Sequence, residues 1–403
     1  MLKAYEFRIY PTKEQEQFLI KTAGLTRLFW NMQLARKEEA YQSGKTCKLL
    51  TAKQLFNELK PEAVQWMKEV DSSPFAAKYM DITSAFNNFY NSCKGKRKIR
   101  VGKPKFESKK DNNISITWSS AQPPKILKNG YLFITRKLGI IKGVFHRWAE
   151  GEFRHATIKR TKTGKWFVKI CVKKKDEKKN DNCKAIGIDW NCRDDAFLTL
   201  SDGTKVKCPR FLREKEKKLA HYQRLLLKKF VKGKQEQSQN YYKAKNKVAK
   251  LHEKVANQRK DWLHKLSYDL AQKYQYVIVE DINLQTMAKI HHGKSVGDQG
   301  FGMLRNMIAY KTTLVKVSAK NTSKTCHTCG NVNHKVVLGV EHWKCPVCSS
   351  EHDRDINAAL NILNKGVTSL GIVGRERAEI TNACGVPRST AKQEVLNPLG
   401  FGS

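Results

Sequence analysis

Residues 326–360 read CHTCGNVNHKVVLGVEHWKCPVCSSEHDRDINAAL. Two Cys-x-x-Cys pairs stand fifteen residues apart, and seven residues past the last cysteine an acid, Asp355, heads an Ala- and Leu-rich helical stretch. The spacing of Cys326, Cys329, Cys345 and Cys348 is that of a four-cysteine zinc ribbon, in which each knuckle presents two thiolates to one tetrahedral ion. Four protein ligands close the shell of such a Zn²⁺, so the ion is structural and holds no reactive water. His327, His334, His342 and His352 are then bystanders. A free-standing finger has no need of an acid on the helix that follows, so the meaning of the ribbon depends on its neighbours.

Upstream, two apolar runs also end in acids: AIGID closes on Asp189 and YVIVE on Glu280. Taken singly, these are strand-end turn residues, and Asp355 is a helix-start carboxylate favoured by the dipole. Taken together they meet a chemical demand. Two-metal phosphoryl hydrolysis places a pair of Mg²⁺ ions about 3.5 to 4 Å apart, and such hard cations need several carboxylate oxygens converging on one spot. The chain order is a strand with Asp189, a hairpin through Asp202-Gly203, helices, a strand with Glu280, the strand TTLVKVSAK, and the helix with Asp355. That order matches an RNase H-like α/β domain with the ribbon inserted before its last helix, where it can handle nucleic acid entering the groove.

The charge supports that partner class. The 403 residues carry 77 Lys+Arg against 37 Asp+Glu, a net +40, which calls for a polyanion. Membrane-surface binding would need a basic amphipathic helix or a lipidation signal, and MLKAYEFRIYPTKEQ offers a strand pattern instead. No apolar run approaches the roughly 18 residues of a membrane span, and the N-terminus lacks the apolar core of a signal peptide, so no membrane partner and a cytoplasmic, nucleoid-associated location are expected. The other seven cysteines are scattered, and reduced thiols are the simpler reading.

The first ten residues alternate as a half-buried strand, after which Thr12 and Gln15 have capping-box spacing. Helical patterning runs on to about Tyr90, with Phe18, Leu25, Phe29 and Met32 forming a core face. The segment CKGKRKIRVGKPKFESKK, residues 93–110, is either a phosphate-contacting loop or a solvated linker; the first is favoured, with Lys96, Arg97, Lys103 and Lys105 as candidate contacts. Short strands between 114 and 175 predict a small β-barrel or sandwich with a basic face. From about 211 to 275 a basic helical hairpin, broken near Gly233, offers both a solvated face and a groove for a duplex.

These stretches resemble the TnpB family, the RNA-guided nucleases of insertion sequences, which are related to type V CRISPR effectors. RIYPTKEQ, RLFWN, GKPKFESKK, GIDW, LSDG, NQRKDWLHKLS, VIVEDINL, the cysteine knuckles and HDRDINAALNI carry the likeness over residues 1 to about 365. The resemblance implies a multidomain α+β protein. A wedge-type β-barrel (1–10 and 111–180) is interrupted by a helical recognition domain (11–110). A RuvC-like nuclease domain (181–320 and 353–366) carries a zinc-bearing target-nucleic-acid-binding insert (321–352), and a disordered tail (367–403) follows.

The resemblance further implies that Asp189, Glu280 and Asp355 hold Mg²⁺ as the catalytic acids, selecting Glu280 over Asp281 and leaving Asp353 as a helix cap. The implied partners are a guide RNA, either an ωRNA or a CRISPR RNA, and double-stranded target DNA, cut next to a short flanking motif. The stretches that correspond to the family's motif readers contain Lys53, Gln54, Asn57, Ser72, Ser73 and Lys78. The chain departs from the family at Asn191, where a glycine is common, and in a shortened connection after Lys311. A guide-RNA-dependent regulator without cleavage and a DNA-strand-transferring transposase are the competing functions. The intact acids weigh against the first, the resemblance against the second.

Overall fold

The computed structural model describes residues 2–57, 65, 68–97, 99–109, 114–119, 124–127, 130–147, 150–175, 184–191, 196–234, 236–282, 297–337 and 339–371. They belong to two compact units, Met1–Glu177 and Lys178–Ser403.

The first unit opens with β1 (Leu2–Tyr10), whose alternation buries Tyr5, Phe7 and Ile9. Helix α1 (Lys13–Gln42) follows through the expected capping box: Gln15 N donates to Thr12 Oγ1 at 3.3 Å and Thr12 N to Gln15 Oε1 at 3.0 Å. Helices α2 (Ala52–Asn57) and α3 (Ser73–Cys93) come next. Leu25 and Phe29 of α1 are buried with Leu55, Val70 and Phe75, and Phe18 and Met32 pack against them.

Strands β2 (Ser115–Trp118), β3 (Lys125–Leu127), β4 (Tyr131–Phe133), β5 (Ile140–Val144), β6 (Glu152–Arg160) and β7 (Trp166–Lys173) join β1 in one antiparallel sheet. Its order is β2-β6-β7-β1-β5-β4-β3, over a core holding Phe7, Trp118 and Trp166. A closed barrel was expected, and among the described residues the sheet is open. Its end strands β2 and β3, four and three residues long, do not pair with each other, and β2 packs against α3 instead.

The second unit contains β8 (Ala185–Trp190), β9 (Leu198–Leu200), β10 (Lys205–Val206), α4 (Phe211–Lys228), α5 (Gln239–Lys273), β11 (Tyr276–Glu280), α6 (Phe301–Lys311) and β12 (Thr313–Val317), then β13 (His342–Lys344), β14 (Glu351–Asp353) and α7 (Arg354–Ser369). The five-stranded sheet has the order β10-β9-β8-β11-β12, antiparallel from β10 to β8 and parallel from β8 to β12. Period-2 alternation divides its faces. Ile186, Ile188, Trp190, Val277 and Val279 pack with Leu263 and Leu270 of α5 and with Phe301, Leu304 and Ile308 of α6. Ala185 and Ile278 pack with Ile362, Leu363 and Val367 of α7 on the other face.

Two glycines allow α7 to lie that close. A Cβ at Gly187 would meet Ala359 O at 2.2 Å, and one at Gly366 would meet the Ile278 side chain at 2.4 Å. Residues 367–369, expected in the tail, instead belong to α7, which runs to Ser369; Val367 is buried because it sits one turn after Leu363 on the sheet-facing side. Residues 372–403 of that expected tail lie outside the described residues. The short connection after Lys311 is Thr312 alone, whose hydroxyl is within reach of Tyr274 O (3.0 Å) and Gln275 O (2.7 Å).

Candidate functional site

The three acids meet because of register. Val279 is paired with Ile188 in the parallel ladder, so Glu280 and Asp189, the next residues along each strand, are lateral neighbours, with strands about 4.8 Å apart. Gly187 faces α7, so Asp189, two residues on, faces it as well; the same holds for Ile278 and Glu280 on β11. Asp355 lies one turn before Ala359, at the end of α7 towards which both strands run. Its helix start is fixed by Asp353, which accepts from the backbone N–H groups of Asp355 (3.0 Å) and Ile356 (3.1 Å). Asp353 also receives Lys205 Nζ at 2.7 Å.

Glu280 is 7% and Asp355 8% exposed, whereas Asp281 is exposed and pairs with Lys316 at 3.4 Å. Burial pushes the Asp189 carboxyl well above its ordinary range, and the charges of Glu280 and Asp355 push it further; Arg354 and a hydrogen bond from Asn191 act the other way. Burial also raises Glu280, against the Thr322 hydroxyl, which donates to Glu280 Oε1, and the charge of Lys365. Asp189 and Glu280 thus lie where burial disfavours their charged forms, a balance that a bound cation would reverse. Asn191, the departure from the family glycine, is anchored by its Nδ2 to Thr199 Oγ1 at 3.0 Å.

The four cysteines form a second centre. Their sulfurs all lie within 4.8 Å of one another, the one such set of three or more His, Cys, Asp and Glu ligands among the described residues; the three acids are neighbours without forming a cage of that kind. Cys326 and Cys348 are 3.6 Å apart, as are Cys329 and Cys345. A tetrahedron with Zn–S bonds of about 2.3 Å has edges of about 3.8 Å, so the thiols fit Zn²⁺. Burial would raise the Cys326 thiol, but hydrogen bonds from Ser350 and from the Cys329 and Thr328 backbone hold it down at about 7. Ser350 holds Cys348 down at about 6, whereas the neighbouring sulfurs push Cys329 up to about 12, so Cys348 and Cys326 are the thiolates first available to a cation. His352 is no distant bystander: its Nε2 lies 3.1 Å from Cys326 Sγ and 2.8 Å from Ser350 Oγ.

Other residues expected to touch nucleic acid have mixed placements. Gln54 closes a capping turn, with Thr51 N donating to its Oε1 at 2.9 Å. Lys78 is paired with Glu107 and lies 4.6 Å from the centre of the Trp30 ring. Lys103 pairs with Glu38 at 2.6 Å, and Arg97 donates to Asn88. Ser73 is half-buried, whereas Lys53, Asn57, Ser72, Lys96 and Lys105 are exposed. The basic loop is strapped to α1, since Trp30 Nε1 donates to Lys105 O at 3.0 Å and Glu107 N to Asn31 Oδ1 at 2.8 Å. Thr322, Asn357, Asn361 and Lys365 escaped the sequence reading; the i, i+4, i+8 spacing of the last three was the available signal.

Three family patterns match the chain. Residues 169–291 match one described as a probable transposase, OrfB of IS605. Residues 301–362 match a Cas12f1-like TNB domain and residues 1–46 a helix-turn-helix domain of the OrfB group. In this chain the last stretch is one strand followed by one helix of 30 residues. A protein of Streptomyces pristinaespiralis named "Putative RNA-guided DNA endonuclease" is 31% identical over 97% of this chain and 96% of its own. InsQ of Escherichia coli K12, which carries the same description, is 27% identical over 91% and 92%. A TnpB-like protein of Methanocaldococcus jannaschii is 27% identical over 54% and 51%.

Among solved structures, the chain of a complex of Cas12f1 with sgRNA and target DNA superposes with a TM-score of 0.56 at 14% identity, covering 90% of this chain and 99% of that one. The fold is thus a mixed α/β arrangement shared with Cas12f1. By sequence the chain belongs to the TnpB family of IS605 OrfB proteins.

Proposed function

We propose that the protein is an RNA-guided DNA endonuclease whose hydrolytic centre is Asp189, Glu280 and Asp355. The observation that carries this is the convergence of three acids from two adjacent parallel strand ends and one helix start, all on the α7 face of the sheet. The sheet order, with three antiparallel strands continued by two parallel ones, supports assignment of residues 181–320 and 353–366 to a RuvC-like, RNase H-like domain, with 321–352 as its zinc-ribbon insert. The first unit is read as the wedge and recognition part, with an open sheet in the described residues where the family implies a barrel.

The donor set of the acids is all hard oxygen, which suits Mg²⁺ and not a thiophilic ion. Bound there, Mg²⁺ would polarise the scissile phosphate and lower the pKa of the attacking water. The chain's own contribution is orientation. Asp353 fixes the first turn of α7, Asn191 donates to Asp189, and the ladder sets Glu280 beside Asp189.

The +40 charge binds the backbone of guide and target. A cavity of about 200 Å³ between α4 and α5, lined by Tyr222, Lys229, Lys243 and Lys247, adds a basic groove. With Gln54 and Lys78 engaged, Lys53, Asn57 and Ser72 are the remaining exposed candidates for reading the flanking motif in the first unit. Whether the guide is an ωRNA or a CRISPR RNA is decided by sequencing the RNA that copurifies with the protein. A single abundant structured RNA, programming cleavage of matching DNA beside a fixed motif in a randomised library, is the expected result. Purified protein that carries no RNA and cuts without one would overturn the proposal.

A further inference from the structure

The structure assigns a positioning role to residues 318–327, the stretch leading from β12 into the first cysteine pair: one face of α7 clasps it, and it in turn orients Glu280. This rests on reading Glu280 as a metal-binding acid. Asn357, Asn361 and Lys365 are spaced i, i+4, i+8 and so share one face of α7. Lys365 Nζ donates to Ser318 O (3.2 Å) and Lys320 O (2.7 Å). Asn361 Nδ2 donates to Thr322 O (2.8 Å) and Thr325 O (2.6 Å). Asn357 Nδ2 donates to Thr325 O at 2.8 Å, while its Oδ1 accepts from His327 N at 3.0 Å. The helix that carries Asp355 therefore holds the stretch by its backbone along ten residues.

Within that stretch Thr322, itself 4% exposed, turns its hydroxyl to Glu280 Oε1, with Ala319 O at 3.1 Å as its other neighbour. Glu280, Asn357 and Asn361 are all buried, where a polar group without a partner is costly, so the network is either kept whole or lost together. Next to its far end, His327, stands Cys326, a ligand of the proposed ribbon. The ribbon is thus tied to both acids: to Asp355 through the α7 face and to Glu280 through Thr322. A hydroxyl that fixes one carboxylate oxygen restricts how the other can meet a cation. Losing an outer-shell contact of this kind lowers metal affinity by about 10- to 100-fold.

The test uses full-length protein and Mn²⁺ as the probe, with free Mn²⁺ read by electron paramagnetic resonance. The binding lost in Glu280→Gln defines the sites of the acids. Thr322→Val should weaken that binding about 10-fold or more and shift cleavage to higher Mg²⁺, with the rate recovering at saturation, while Thr322→Ser restores both. Asn361→Ala should act in the same direction, and zinc should remain at one ion per chain in all. If Thr322→Val and Asn361→Ala bind Mn²⁺ as wild type does while Glu280→Gln is inert, the positioning role is wrong and the acid assignment stands. Loss of zinc in Thr322→Val would make its role structural and would likewise overturn the inference. Cleavage by Glu280→Gln would remove the reading on which it rests.

Discussion

Gly187→Ala puts the smallest possible wedge between β8 and α7. The added Cβ would lie 2.2 Å from Ala359 O, 2.7 Å from Leu363 N and 2.9 Å from Leu363 Cβ, and ordinary contact begins at 3.4 Å, so the helix must retreat by about 1.2 Å (3.4 − 2.2). Two of the three obstacles are backbone, and no rotamer change relieves them. Overpacking of this kind costs about 1 to 3 kcal/mol. For a unit of this size that is a fall in Tm of roughly 2 to 12 °C. The larger effect falls on chemistry, since Asp355 rides on the displaced helix while Asp189 stays on the strand; a misplacement of about 1 Å can cost on the order of 100-fold in rate. The assay is thermal unfolding together with the cleavage rate of the guide-loaded protein at saturating Mg²⁺. Gly297→Ala, whose Cβ would meet nothing within 4 Å, serves as the control. A Gly187→Ala protein with wild-type Tm and wild-type cleavage would refute the account of how α7 is seated.

In Gly366→Ala the three atoms nearest the new Cβ, at 2.4 to 2.7 Å, all belong to the Ile278 side chain, so Ile278→Val or Ile278→Ala should recover part of the lost stability; additive losses in thermal melts would contradict this. Burial raises both Asp189 and Glu280, so in Mg²⁺-free buffer the native state holds protons that the unfolded chain releases. Stability should therefore fall as pH rises from the ordinary carboxylate range, about 4, through the raised values. Mg²⁺ should offset that fall and Asp189→Asn should lessen it, whereas parallel Tm-against-pH curves for wild type and Asp189→Asn would count against it. Cys345→Ser should cost the single zinc ion, and mass spectrometry of the native protein finding no zinc in the wild type would remove the ribbon.

The clustering of the four cysteines and the approach of the three acids were legible because the proposed chemistry dictates residue type and spacing. A strand ending in an acid and a pair of Cys-x-x-Cys knuckles survive any change of surroundings. The selection of Glu280 over Asp281 came from the family pattern, and in the fold Glu280 is buried on the α7 face while Asp281 reaches Lys316 in solvent. The Asn357, Asn361 and Lys365 stripe was hidden because such residues on a helix ordinarily form a solvated face, and what they hold is the backbone of a remote segment. Closure of the first sheet was not legible either, since it depends on whether two short end strands find each other. Gln54 and Lys78 stood among the candidate motif readers because a capping partner and an ion-pair partner 29 residues away leave no periodic trace in the sequence.

The central claim is that Asp189, Glu280 and Asp355 together perform guided DNA cleavage, and alanine variants of each, purified with their RNA, test it most directly. Guide content and target binding should match wild type, while Mg²⁺-dependent cleavage of DNA matching the guide falls below detection in all three. Wild-type cutting by any one of them would contradict the account.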